Sequence, residues 1–168
     1  MFAAILMGSD SDLDQVQPCL AVLRDLGIPF AARVLSAHRT PEALHAFVHE
    51  NDDKVSVYIC AAGGAAHLAG VVAALTLRPV IGIPIAGASL AGADSLYSMV
   101  QMPGGVPVAV MGIGSAGAKN AGLFTAALLA LSDAALKSRL AAFRLKQAEE
   151  VAVKDRKLQE RLRGEGFK

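Results

Sequence analysis

Five short apolar runs, each followed by a stretch with helical spacing, constrain this chain more than any other feature. The runs fall at residues 2–7, 30–35, 55–61, 80–84 and 106–111, and all are rich in Val, Ile, Leu and Ala. None alternates strictly between apolar and polar positions, which is how strands covered on both faces read. Helices are expected between and after them, over 12–26, 41–52, 65–75, 91–102 and 116–131. Gly27-Ile28-Pro29 stops the first helix, and Pro41 stands at a natural first position of the second. Five βα units in a row predict an α/β fold: a three-layer, doubly wound, parallel five-stranded sheet in the flavodoxin-like order 2-1-3-4-5. Internal repeats and interdomain linkers are not visible, so one domain is expected over 1–153, with a charged tail over 154–168.

A long extra C-terminal helix, from 133 to about 163, remains after the sheet is complete. Its apolar residues Leu136, Leu140, Phe143, Val151, Leu158 and Leu162 form a stripe that the chain's own sheet cannot fully cover. Packing on a neighbouring subunit is the favoured solution; a helix lying back on its own domain with a frayed tail is the alternative. Composition sides with the subunit contact, because 54% of the chain is hydrophobic and only 18% is charged. The net charge of +1 hides an asymmetry. Residues 137–168 carry 10 Lys/Arg against 5 Asp/Glu, whereas residues 1–136 carry 6 against 10. The body therefore has no basic surface for a nucleic-acid backbone, and the tail, with mixed signs at helical spacing, reads as a solvated helix face. No apolar run is long and clean enough to span a membrane, and no basic stretch precedes the first strand as a signal peptide requires. Cys19 and Cys60 read as small buried hydrophobes in a reducing cytoplasm.

In a parallel sheet the loops that follow the strands emerge at one edge, and ligands bind there near the strand-order reversal. The loop after the second strand, Ser36-Ala37-His38-Arg39-Thr40-Pro41, places a proton-transfer side chain beside a phosphate-binding one. Ordinary alternatives are a core histidine and a surface ion pair. The loop after the first strand, Gly8-Ser9-Asp10-Ser11-Asp12, offers hydroxyls and helix N–H groups to an anion. Asp12 caps the following helix, faces sugar hydroxyls, or does both. The loop after the third strand, Ala62-Gly63-Gly64-Ala65-Ala66-His67, is nearly bare of side chains, so backbone amides can approach a flat ring closely. Tight helix–sheet packing would use the same residues, and His67 can face a ligand or cap its helix. The fourth and fifth loops, Ile85-Ala86-Gly87-Ala88-Ser89 and Gly112-Ile113-Gly114-Ser115-Ala116-Gly117, belong to the same edge. His45 and His49 share a helix face, but without the zinc-protease pattern or a strand-end position, so no metal is expected. Covalent catalysis has no support, since there is no Gly-x-Ser-x-Gly elbow and no cysteine in a polar loop.

Taken together, the first three loops with Asp94-Ser95-Leu96-Tyr97-Ser98, Gln101-Met102-Pro103 and Ile113-Gly114-Ser115-Ala116-Gly117-Ala118-Lys119-Asn120-Ala121 resemble the PurE family of N5-carboxyaminoimidazole ribonucleotide mutases. The likeness runs from the first strand to about Ala148. It implies an isomerase of purine biosynthesis, cytoplasmic, assembled as a homo-octamer, with no metal and no organic cofactor. Its substrate would be a phosphorylated aminoimidazole ribonucleotide whose carboxyl group moves from the exocyclic nitrogen to ring carbon 4. The resemblance implies that His38 is the general acid/base. By the same token Ser9, Asp12 and Arg39 bind the ribose phosphate, Ser11 and Ser36 assist, and the stretch with Gly63, Ala65 and His67 lies along the imidazole and the migrating carbon dioxide. Ala69 departs from the family, which often has proline there, and the tail after Val151 lies outside the resemblance.

Two rival readings stand beside this one. A sister class carboxylates aminoimidazole ribonucleotide with carbon dioxide directly; it tends to carry lysine in place of Arg39 and a different third loop. A non-enzymatic nucleotide- or flavin-binding module would use the same fold, but would be expected to stack aromatic residues in the strand-end loops, which have none.

Overall fold

The computed structural model describes residues 1–167. Its centre is a five-stranded parallel sheet in the order β2-β1-β3-β4-β5, as the sequence predicts. The strands are β1 (Phe2–Met7), β2 (Phe30–Val34), β3 (Val55–Ala62), β4 (Val80–Pro84) and β5 (Ala109–Val110). The helices are α1 (Leu13–Asp25), α2 (Pro41–Asn51), α3 (Leu68–Leu75), α4 (Ala93–Val100), α5 (Gly114–Leu129) and α6 (Ala134–Gly164).

Two apolar layers fix the sandwich. On one face Val16, Cys19 and Leu23 of α1 and Ala118 and Ala121 of α5 cover Ile5, Ile59, Ile81 and Ile83. On the other, Leu44 and Val48 of α2, Leu68 and Val72 of α3 and Met99 of α4 cover Leu6, Tyr58 and Cys60. Successive residues of β1 and β3 feed opposite layers, so runs without alternation are what a two-sided sheet demands. Each fully buried Leu or Ile contributes about 1.5–3 kcal/mol. Both cysteines are buried and free, and burial alone pushes the Cys19 thiol up to about 12.

The two-sided expectation fails for β2. Most of this edge strand is exposed, with Val34 at 49%, because β2 pairs on one side only, with β1. The fifth strand is also shorter than the expected 106–111. Pro107 has no N–H for a ladder and Val106 N–H turns back to the Pro103 carbonyl, so pairing with β4 is confined to two residues.

Four helix starts shift as well. Residues 10–12 form a 3-10 turn before α1. Gly64, at φ +62°, holds the chain out of helix until Leu68, and Ala91 and Gly92, both at positive φ, delay α4 until Ala93. The fifth helix starts earlier than expected, at Gly114.

The long C-terminal helix is one unbroken element. Asp133 caps it by accepting the Leu136 N–H at 2.9 Å. Its first turns pack on the chain's own domain through Leu136, Leu140 and Phe143, and Arg139 Nε donates to the Leu26 carbonyl. Beyond Phe143 the stripe is largely uncovered, with Val151 63% and Leu158 52% exposed. The start therefore lies on its own domain, as the alternative reading expects, and the rest stands free of that domain.

Candidate active site

Three strands end side by side and set the site. Gly8 N–H donates to the Ala61 carbonyl at 3.0 Å and Leu35 N–H to the Met7 carbonyl at 2.9 Å. The loops after β1, β2 and β3 therefore leave the sheet at one level, on the two sides of the strand-order reversal. Together they line a cleft of about 330 Å³ with Gly8, Ser9, Asp12, Ser36, Ala37, His38, Arg39, Ala62, Gly63, Ala65, His67 and Leu68. Every residue to which the resemblance gives a role lies in this lining except Ser11. Ser11 stands just behind, its Oγ donating to Ser9 Oγ at 2.9 Å. The fourth and fifth loops do not line the cleft, contrary to the expectation that all five converge on it.

The β1 loop is a reciprocal capping box. Ser9 Oγ accepts the Ser11 N–H at 3.3 Å, and Asp12 Oδ2 accepts the Ser9 N–H at 3.1 Å. Asp12 thus reaches back into its own loop and makes no side-chain cap to α1, which corrects the simpler capping alternative. It is one of few buried polar side chains among the described residues. Desolvation by this burial raises its carboxyl above the ordinary 3.8, against the lowering pull of the Ser9 N–H and of Arg39.

That shift has a measurable sign. A raised folded-state pKa means that the ionised carboxylate is worse off in the folded protein than in the unfolded chain, so stability is lost as pH rises through the folded value. Asp12→Asn keeps an oxygen for the Ser9 N–H and removes the charge. Its melting temperature should exceed that of the parent at pH 8, and the difference should shrink as pH falls toward 4. A difference independent of pH would remove the desolvation account.

The β2 loop is braced from inside. Thr40 N–H donates to the Ser36 carbonyl at 2.9 Å, Ser36 N–H to Thr40 Oγ1 at 3.0 Å, and Arg39 N–H to Ser36 Oγ at 3.2 Å. Ser36 therefore serves the loop's own geometry as well as the cleft. Arg39 Nη2 donates to the Gly8 carbonyl at 2.7 Å and so ties the second loop to the first. Among the described residues no carboxylate is within ion-pair distance of Arg39. Arg39 Nε also lies 3.4 Å from Ser36 Oγ, and the N–H groups that remain are available to an anion.

His38 Nε2 and His67 Nδ1 are 2.9 Å apart, with the rings edge to face at 88°. Such a contact needs one N–H and one lone pair, so it exists only when the two rings are not both imidazolium. His67 occupies the position before α3 but makes no side-chain cap, which leaves its ring to the cleft. The floor beneath is Ala62, Gly63 and Ala65. A Cβ placed on Gly63 would touch Ile85, the first residue after β4, at 3.7 Å. Beside the histidines the floor carries no bulky polar group, so a flat ring can lie on main chain. His45 and His49, separate from all this, border a hollow with Glu50 and Leu75 on α2 and α3.

The sequence did not reveal three parts of the site. Gly8 supplies a carbonyl, Ala37 and Leu68 supply walls, and the His38–His67 contact joins loops 29 residues apart. A main-chain oxygen or a methyl leaves no mark by residue type, and pairing across loops is a product of the sheet.

A family model described as AIR carboxylase matches residues 3–150. N5-carboxyaminoimidazole ribonucleotide mutase of Haemophilus influenzae is 51% identical over 150 residues, covering 88% of this chain and 91% of that protein. The enzyme of the same name from Brucella melitensis is also 51% identical, covering 89% and 93%. Phosphoribosylaminoimidazole carboxylase of Saccharomyces cerevisiae is 47% identical over 156 residues, but the chain spans only 27% of that protein's length. Among solved structures, PurE of Treponema denticola superposes with a TM-score of 0.85 at 31% identity, covering 94% of this chain and 98% of that one. A match across most of the length, in sequence and in fold, shows that the chain belongs to the AIR carboxylase family.

Proposed function

We propose that this chain converts N5-carboxyaminoimidazole ribonucleotide to 4-carboxy-5-aminoimidazole ribonucleotide in purine biosynthesis. The observation that carries the reading is the convergence, in one small cleft, of an unpaired guanidinium, a buried carboxylate, a bare main-chain floor and a histidine pair. Arg39 and the Ser9 loop hold the phosphate, Asp12 accepts from the ribose, and the ring lies along Gly63 and Ala65. The carbamate C–N bond breaks, its electrons stay on nitrogen, and His38 protonates that nitrogen. Carbon 4 of the electron-rich ring then attacks the released carbon dioxide, and the C4 proton returns to His38. One proton is lent and recovered, and no electrons change hands, so the balance requires neither cofactor nor co-reactant. Holding carbon dioxide beside the ring makes recarboxylation effectively unimolecular.

The relatives named mutase support this over direct carboxylation, while the name of the yeast relative makes direct carboxylation the outcome to exclude. Supplying each substrate separately distinguishes them. Turnover of N5-carboxyaminoimidazole ribonucleotide without added bicarbonate is expected. Turnover that needs only aminoimidazole ribonucleotide and low bicarbonate would replace the mutase reading. We also propose assembly as a homo-octamer, supported by the uncovered edge strand β2 and the uncovered stripe of α6.

A further inference from the structure

Gln15, in the first turn of α1, spends its whole side-chain amide on one residue of another loop. Gln15 Nε2 donates to the Ala86 carbonyl at 3.1 Å, and Ala86 N–H donates to Gln15 Oε1 at 2.9 Å. Both main-chain groups of Ala86 are thus satisfied as a neighbouring strand would satisfy them, 71 residues away in sequence. Ala86 opens the β4–α4 connection, residues 86–91, all of which are exposed. The base of this connection is fixed from within, because the buried Ser95 Oγ lies 2.9 Å from both the Ile85 and the Gly92 carbonyls. Its tip is not fixed. Gly87 has nothing within 4 Å of where a Cβ would stand, Leu90 is 60% exposed, and Ala91 sits at φ +51°.

The connection springs from the floor of the cleft. Ile85 N–H donates to the Ala62 carbonyl at 3.0 Å, Ile85 packs against Gly63, and Ser98 Oγ of α4 reaches the Gly64 carbonyl at 3.4 Å. Gln15 belongs to the helix that follows the Ser9–Asp12 box, and its Oε1 also stands 3.2 Å from where a Cβ on Gly114 would lie, at the start of α5. One side chain therefore ties the start of α1 to the root of the β4 connection and lies beside the start of α5.

We propose that Gln15 is a positioning residue: it latches the base of the 86–91 connection in register with the phosphate loop, so that the free tip closes over the ring side of the cleft and retains carbon dioxide. The catalytic half of this rests on the mutase reading; the latch itself does not. Water and an escape route for a neutral molecule are what the reaction must avoid, and a flap held at its root by α1 and α4 supplies that control. Gln15 makes no contact with the cleft, so its loss should spare binding and alter the fate of the intermediate.

The test uses the full chain with Gln15→Leu, which deletes both hydrogen bonds at similar size, and Gln15→Glu, which keeps the acceptor and loses the donor. In the ligand-free protein, amide exchange over residues 86–90 is expected to speed up at least tenfold in Gln15→Leu, and less in Gln15→Glu, with the melting temperature held within a few degrees. With N5-carboxyaminoimidazole ribonucleotide, kcat should fall about tenfold while KM stays within twofold. The share of turnovers ending in free aminoimidazole ribonucleotide should rise. Unchanged exchange in Gln15→Leu overturns the latch whatever the reaction is. Faster exchange with unchanged kcat and unchanged product partition overturns the positioning role. A parent chain inactive on this substrate removes the mutase reading, and with it the retention of carbon dioxide, while the exchange result still decides the latch.

Discussion

His38→Asn is expected to lower turnover of N5-carboxyaminoimidazole ribonucleotide by at least about 10³-fold, while product affinity changes by less than about tenfold. The separation follows from the geometry. The phosphate end of the cleft is built by Ser9, Asp12 and Arg39, which are held by the Ser9–Asp12 box and by the Arg39–Gly8 bond. None of those contacts passes through the His38 ring, whose one side-chain hydrogen-bond partner among the described residues is His67. An asparagine can neither lend nor recover a proton near neutral pH, so the chemical step loses its carrier and the anchor remains. Calorimetric titration with 4-carboxy-5-aminoimidazole ribonucleotide measures affinity, and a single-turnover assay measures the chemistry. Turnover within tenfold of the parent would remove His38 as the acid/base, and a collapse of affinity would show that the ring binds as well as reacts.

Much of this site was legible in the sequence because the βα alternation dictates a single edge for the loops. Once strand order 2-1-3 is granted, Gly8, Ser36 and Gly63 must meet, and the cleft confirms that meeting. What escaped was decided by main-chain detail. The 3-10 turn that points Asp12 back at Ser9 needs the box geometry, which Ser-x-x-Asp only permits. The positive φ values at Gly64, Ala91 and Gly92 delay two helices that apolar spacing alone would start earlier. The exposure of β2 and of α6 beyond Phe143 shows the limit of composition, since a count of apolar residues does not say which of them the fold buries. Gln15 carried no signal, because a polar residue on the first turn of a helix reads as solvated until its partner loop arrives.

The second large effect is structural and comes from the turn into α5. Gly117→Ala should cost at least about 3 kcal/mol, the upper end of overpacking penalties, and lower the melting temperature by about 10 °C. Alanine is otherwise the better helix residue by about 1 kcal/mol, so propensity alone predicts a gain at this position. Space decides the sign. A Cβ on Gly117 would stand 1.5 Å from the Gly112 carbonyl oxygen and 2.4 Å from its carbon. Both obstacles are main chain, so no rotamer change relieves them, and the loop and helix must part. Parting them is resisted elsewhere in α5. The helix packs so closely on α1 that a Cβ on Gly122 would already meet Val22 at 3.0 Å and the Cys19 carbonyl at 3.1 Å. Gly112→Ala is the internal control. Its Cβ would meet nothing nearer than Gly117 Cα at 3.9 Å, an ordinary contact, so it should melt within a few degrees of the parent. Thermal melts of the two variants side by side test the asymmetry. Equal destabilisation would mean that the approach of Gly112 to Gly117 does not limit the fold, and that α5 has room to slide on α1.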